Sequence, residues 1–260
     1  MKNSYGVSIK WLAVAGFEIQ CEGVTIVTDP YITECVGTDL TWEAVENCDI
    51  ITLGHAHWDH ITDIPRLAQK FQPKILCGDQ TALPLAMWLN YVPSYIYPMY
   101  PDTELDFGPV KIRALYGRHI PQKGILDLNN ALISNEICSK DPGIASLQCI
   151  GSMDYRNYLY TLSNGTKILH WGSAPTPEQY SLCKALKPDI AIIQRSVQPE
   201  DIAEKANFAA AIGCKVLIPH HHDFRGVDDP AVVEAFKDAF LRLVPDGIFV
   251  TPKHGEWVHL

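Results

Sequence analysis

Alternating apolar and polar residues open the chain: Val7 to Ala13, Phe17 to Cys21 and Val24 to Thr28 each read as a strand, and Glu22-Gly23 predicts a hairpin turn. Asp49-Ile50-Ile51-Thr52-Leu53 is expected to be a short buried strand. The period then changes. Thr62 to Phe71 puts Ile64, Leu67, Ala68 and Phe71 on one side of a helix, and Thr41 to Cys48 predicts a shorter one. Extended segments follow at Lys74 to Cys77, Tyr95 to Tyr100, Val110 to Tyr116, Tyr158 to Leu162, Lys167 to Trp171, Ile190 to Ile193 and Val216 to Pro219. Helical spacing returns at Pro177 to Leu186, Pro199 to Ile212 and Pro230 to Val244. In the last of these, Val233, Phe236, Phe240 and Leu243 form an apolar stripe behind an Asp229 cap and a proline at the first helical position. Strands early and late with helices between them predict an α/β or α+β sandwich. Pro121 to Met153 has little periodicity and is long for a connection, so an insert at about 121–153, a lid or a packing element, is expected.

With 260 residues, 47% of them hydrophobic, the chain can bury a large core, and the absence of a linker predicts one domain over 1–260. No apolar run reaches about eighteen residues, and Met1-Lys2-Asn3-Ser4-Tyr5 leads into no signal-peptide core. A soluble, cytoplasmic protein without a membrane partner is expected. The eight cysteines are scattered without a Cys-x-x-Cys pair, which fits a reducing compartment. A formal net charge of −9 repels polyanions at long range, so the expected partner is a small molecule and not nucleic acid. A homo-oligomer is compatible with this composition.

The segment Gly54-His55-Ala56-His57-Trp58-Asp59-His60 follows the strand at Asp49 to Leu53 and concentrates imidazole and carboxylate at its end. His55 and His57, two apart on extended backbone, project from the same side and can share one ion. Asp59 and His60, placed after the chain bends, can hold a second. Nitrogen donors with a little carboxylate oxygen suit Zn2+ best, one or two ions, with Mn2+, Fe2+ or Ni2+ also acceptable. Completing the site requires residues further along the chain. His119 stands just past the strand ending at Tyr116, and His220-His221-His222-Asp223 follows another strand end, where one or more of the three histidines is expected to be a ligand.

These residues resemble the metallo-β-lactamase superfamily, whose His-x-His-x-Asp-His signature is matched by His55, His57, Asp59 and His60. The likeness spans nearly the whole chain. Trp11-Leu12-Ala13-Val14-Ala15-Gly16-Phe17 with Thr28-Asp29-Pro30 is similar to the branch of ascorbate-6-phosphate lactonase and N-acyl phosphatidylethanolamine phospholipase D, where a histidine often stands at the place of Val14. The resemblance implies a four-layer αββα sandwich. It makes His119 the third ligand of the first ion and His221 the last ligand of the second, and it puts Asp29 behind the ligands as a hydrogen-bond acceptor. The chain departs from the family at Lys167-Ile168-Leu169-His170-Trp171-Gly172-Ser173, where Ser173 replaces an aspartate that commonly bridges both ions. A hydroxyl bridges poorly, so a weaker second site, or His170 as substitute ligand, is expected.

The implied reaction is hydrolysis, with a metal-bound hydroxide attacking an ester, lactone or phosphodiester of a small anionic substrate, and with Asp59 orienting the attacking water. Arg118 and Arg225 are candidates to clamp a phosphate or carboxylate, with Lys123 and Arg195 behind them. The aromatic segment Trp88 to Tyr100 is read as packing before substrate channel, and His254 as structural. Two alternatives stand beside the hydrolase: a nuclease of the same superfamily acting on RNA or DNA, and a degenerate, non-catalytic metal-binding protein, motivated by Ser173. A di-iron oxygen reductase would want glutamate in place of His57 and a flavin domain.

Overall fold

The alternating residues of the N-terminal third sort onto the two faces of a sheet. The computed structural model describes residues 5–119, 141–151, 153–172, 175–194, 202–223 and 230–260. Strands β1 (Val7–Ala13), β2 (Gly16–Cys21) and β3 (Val24–Thr28) form an antiparallel meander. Glu22 and Gly23 both take positive φ, 49° and 84°, as a tight two-residue hairpin turn requires. Strands β4 (Ile50–Thr52), β5 (Lys74–Gly78) and β6 (Ile96–Met99) extend the sheet in parallel, and β14 (Trp257–His259) pairs antiparallel with β1 at the other edge.

In the second sheet, β7 (Glu104–Asp106), β8 (Val110–Tyr116), β9 (Arg156–Leu162) and β10 (Lys167–Trp171) run antiparallel, and β11 (Ile190–Gln194), β12 (Val216–His220) and β13 (Ile248–Phe249) continue in parallel. Each sheet thus has the same succession of antiparallel and then parallel pairings, a repeat of topology that the residues themselves do not show as a repeat of sequence.

Between the sheets, Ile9, Phe17, Ile19 and Ile26 pack with Ile112, Tyr158, Tyr160, Ile192 and Ile218. Residues of opposite parity face outward. Val27, Ile51 and Ile75 meet helices α1 (Trp58–Ile61), α2 (Ile64–Phe71), α3 (Asp79–Leu89) and α4 (Pro142–Gly151) through Ile61, Leu67, Leu85 and Leu147. On the far side, Leu169, Ala191 and Leu217 pack against α5 (Pro177–Leu186), α6 (Ile202–Ile212) and α7 (Pro230–Leu243) through Cys183, Phe208, Phe236 and Phe240. Apolar layers on both faces of both sheets make the expected αββα sandwich.

Most predicted elements occur within a few residues of their expected bounds, but three segments differ. Thr41 to Cys48 forms only one 3-10 turn, Trp42–Ala44. The carboxylate of Glu18 accepts the backbone N–H groups of Glu46 and Asn47 at 3.1–3.2 Å, so those donors serve a tertiary contact instead of a helix. Helix α3 went unpredicted because Pro84 lies inside it. The end of the 121–153 region, which shows little periodicity in sequence, forms helix α4, packed on α3. The first part of that region lies outside the described residues, as does the Asp229 cap.

Cys21, Cys35, Cys48, Cys77, Cys183 and Cys214 are buried and free of disulfides. No helix among the described residues is long and apolar enough to cross a membrane.

Glu18 also neutralises a buried cation. Lys10 Nζ is 2.7 Å from Glu18 Oε2, donates to Ala44 O at 2.8 Å, and reaches the exposed Glu46 at 2.9 Å. Both Lys10 and Glu18 are almost fully buried. Removing one partner leaves the other desolvated, so Glu18→Ala is expected to cost about 3–5 kcal/mol of unfolding free energy in a urea titration. A loss under about 1 kcal/mol, typical of a surface pair, would show that Glu46 alone suffices for Lys10.

Candidate metal centre

Strand β4 delivers the histidine-rich segment to the rim of the first sheet. Leu53 N–H still donates to Leu76 O, Gly54 N–H donates to Asp29 Oδ1 at 2.7 Å, and Arg156 N–H donates to Gly54 O at 2.8 Å, so the chain is pinned to both sheets as it leaves the strand. His57 remains extended (φ −75°, ψ 154°) and forms the N-cap of α1, which carries Asp59 and His60 around one turn. Trp58 N–H is held by Gln148 Oε1 of α4 at 3.0 Å. His119 arrives three residues past β8, and His221 one residue past β12 with φ 65°.

Two trios result. Ligand-capable atoms of His55, His57 and His119 lie within 4.8 Å of one another, and so do those of Asp59, His60 and His221. Ring centroids of His55 and His57 are 4.5 Å apart, those of His57 and His119 4.7 Å. The trios share a wall, because the rings of His55 and His60 are 4.0 Å apart. Asp59 Oδ2 is 3.4 Å from His221 Nε2 and 3.7 Å from His60 Nε2. His220 and His222 are buried but belong to neither trio.

Burial pushes the His57 imidazole down to about 3, helped by His119, and holds His55 well below the ordinary histidine range, helped by His60 and His57. These rings are neutral and carry lone pairs. Burial alone would raise Asp59, but His60 and His221 outweigh it and hold the carboxyl below its usual range. His60 is shifted up, since Asp59 and Asp29 overcome the effect of its burial. Buried His55 Nδ1 has no hydrogen-bond partner among the described residues. Neutral imidazoles converging beside an ionised carboxylate fit a divalent cation in each trio.

Asp29 lies beside this site: Oδ1 is 3.2 Å from His60 Nδ1 and Oδ2 is 3.9 Å from His170 Nδ1. His170 is in neither trio. Its ring stacks on His220 at 5.1 Å, and burial pushes its pKa down to about 4. Arg118 is exposed beside His119. Ser173, Arg225, Lys123 and Arg195 lie outside the described residues. In the aromatic segment, Ile96 and Met99 are core residues, Tyr91 donates to Pro73 O, and Tyr95 and Tyr100 are exposed.

Tyr155 was not anticipated. Its ring stacks on His55 at 4.6 Å and 19°, and nothing in its sequence neighbourhood announces this contact. A Cβ at Gly172 would fall 2.2 Å from its hydroxyl, and one at Gly151 would fall 2.4 Å from His57 Cδ2, so both positions need glycine for close approach.

A two-sheet sandwich carrying two adjacent histidine and carboxylate trios at its strand ends defines a metal-dependent hydrolase, dependent on a divalent cation. The family model for the β-lactamase superfamily domain matches residues 8–221, and the chain belongs to that superfamily. A UPF0173 metal-dependent hydrolase from Koribacter versatilis is 33% identical, over 83% of this chain and 84% of its own length. One from a Geobacillus strain is 27% identical over 94% of this chain and 95% of its own length. Among solved structures, the metallo hydrolase Igni18 from Ignicoccus hospitalis shares the fold with a TM-score of 0.73 at 16% identity, covering 97% of each chain.

The neutral histidines set the acid response of the metal-free protein. His55, His57, His170 and His220 all have folded pKa values below the unfolded value near 6.5, so the unfolded chain takes up protons that the fold refuses. Their contribution is complete above about pH 6.5 and is lost as pH falls from there towards 3–4. Asp59 adds to the loss and His60 opposes it. The melting temperature of chelated protein is therefore expected to fall between pH 7 and pH 5. A flat calorimetric profile across that interval would contradict burial of neutral imidazoles.

Proposed function

We propose that His55, His57 and His119 hold one divalent ion, that Asp59, His60 and His221 hold a second, and that the pair serves hydrolysis of an ester, lactone or phosphodiester in a small anionic substrate. The observation that carries this reading is the shared wall between the trios, which supports two neighbouring ions acting on one bond. When bound, divalent ions supply Lewis acidity and lower the pKa of water towards 7. Zinc is the first choice for this donor set, with manganese, iron and nickel next.

The chain's own residues supply the rest. Asp59, held ionised between His60 and His221, fixes a ligand and accepts a hydrogen bond from the attacking water, orienting it. The Asp29 carboxylate lies 3.2 Å from His60 Nδ1, which leaves the other ring nitrogen for the site. Tyr155 backs His55 and keeps water from that side of the ring. Arg118, exposed next to His119, is the described cation best placed to meet an anionic group, and Arg225 is its counterpart from sequence. The similarity to the lactonase and phospholipase branch supports the same bond classes. A net charge of −9 ranks the nuclease reading below a small substrate, and the convergence of both trios ranks a degenerate binding protein lower still.

Metal-free protein assayed with zinc or manganese on a panel of lactones, phosphodiesters and thioesters is expected to turn over at least one class, and a chelator to abolish it. No turnover of any class by the loaded protein would favour the non-catalytic alternative. Asp59→Asn, fully loaded, is expected to lose about 100-fold or more in kcat; parent-like turnover would remove Asp59 from the mechanism. Because Ser173 replaces an anionic bridge, calorimetric titration with zinc should show one tight and one weaker site. Two equally tight sites would contradict that role for Ser173.

A further inference from the structure

Both backbone polar groups of Val14 are taken by the segment that carries His221. His221 N–H donates to Val14 O at 2.9 Å, and Val14 N–H donates to both carboxylate oxygens of Asp223, at 3.1 and 3.0 Å. Residues 221–223 and Val14 thus close a ring with two points of attachment. The ring is set in unusual backbone: Val14 has φ 51° and His221 has φ 65°, a region β-branched residues in particular avoid. Such conformations persist only where their surroundings impose them.

The imposing group is Asp223, 1% exposed. Its Oδ2 is 2.9 Å from His254 Nε2 and 3.7 Å from Cys35 Sγ, and a Cβ at Gly37 would lie 2.7 Å from its backbone oxygen. The indole of Trp11 is sandwiched between His254 (3.9 Å, 23°) and His222 (4.4 Å, 29°), and its Nε1–H donates to the same Val14 carbonyl at 3.2 Å. Gly255 N–H donates to Trp11 O at 2.8 Å, docking the His254 segment on β1. Three other stretches of chain, at Val14, Cys35 and His254, therefore meet on one buried carboxylate, two residues from His221.

We propose that Asp223 and His254 are positioning residues that set the place of His221, and through it the second metal site, by clamping Val14. The proposal rests on the assignment of His221 made under the proposed function. His254 orients the carboxylate, the carboxylate holds the Val14 N–H, and the Val14 carbonyl holds the His221 N–H. The contacts given above tie both residues to Val14 and the His221 segment, so the effect is expected at the second trio.

Two variants of His254 separate its roles. His254→Phe keeps a ring against Trp11 but loses the donor, whereas His254→Gln retains a donor for Asp223. Zinc titration calorimetry, with cobalt absorption spectra as a second readout, is expected to show at least a tenfold loss of affinity at the weaker site in Asp223→Ala and His254→Phe. The tighter site should be unchanged, and His254→Gln should recover most of the loss. Amide hydrogen exchange in metal-free protein supplies a readout independent of any ion: the His221 and Val14 N–H groups should exchange at least tenfold faster in Asp223→Ala and in His254→Phe. Should Asp223→Ala fail to fold, the two His254 variants carry the same comparison. Parent-like exchange in His254→Phe, or equal weakening of both sites, would overturn the positioning role. A parent protein that binds no second ion would instead refute the functional reading, and the exchange rates would then decide the clamp by themselves.

Discussion

The buried imidazoles of His55 and His57, 4.5 Å apart, resist protonation, and this constraint organises the centre of the molecule. Each neutral ring keeps one N–H and one lone pair, and lone pairs that converge on one point suit a cation between them. Lone pairs can be held in mutual opposition only by rigid elements. The segments that bear the two trios accordingly follow strand ends, where the ladder fixes the backbone: β4 ends three residues ahead of His55, β8 three ahead of His119, and β12 directly ahead of His221. The sandwich is what brings those ends together, because β4 belongs to one sheet and β8 and β12 to the other.

The same constraint accounts for backbone strain beside the site. Val14, Asp29 and His221 are all in the left-handed region although none is glycine, at about 1–3 kcal/mol each. Each lies in a turn at the rim of a sheet, and each is tied by bonds to another segment: Asp29 to Gly54 and Thr52, Val14 to Asp223, His221 to Val14. Extended or helical backbone at these points would carry the chain away from the rim. The energy stored there is offset by the packing of three apolar layers that the strain leaves undisturbed.

Legibility in the sequence follows the distance over which a contact is made. His55, His57, Asp59 and His60 share one short segment, so their spacing alone announced a common purpose. His119 and the run His220-His221-His222 were visible as histidines placed just after apolar strand runs, whereas the choice of His221, like Asp29, came through resemblance. Tyr155 and the Asp223–His254 pair were not visible, since each acts across a tertiary contact whose partner is far along the chain; Asp223 and His254 are 31 residues apart. Fold class was readable because period-two alternation in β1, β2 and β8 sorts residues between layers. Where it failed, a local signal met an opposing one. Pro84 masked α3, and the Glu18 carboxylate diverted the backbone donors of Glu46 and Asn47.

Charge closes the argument from site to substrate. The first trio contributes no anion and the second contributes only Asp59, while Asp29 adds one more charge behind His60. Two divalent ions in these positions would leave a strongly positive centre inside a protein whose formal net charge is −9. An acidic exterior discourages large polyanions by repulsion at long range, but that repulsion is screened within about 10 Å at ordinary ionic strength. A small anion can therefore approach closely enough to meet the uncompensated charge that two such ions would leave, in a medium that screens it poorly. An acidic exterior around such a centre would select for size as well as charge, and this is the physical support for the proposed small anionic substrate.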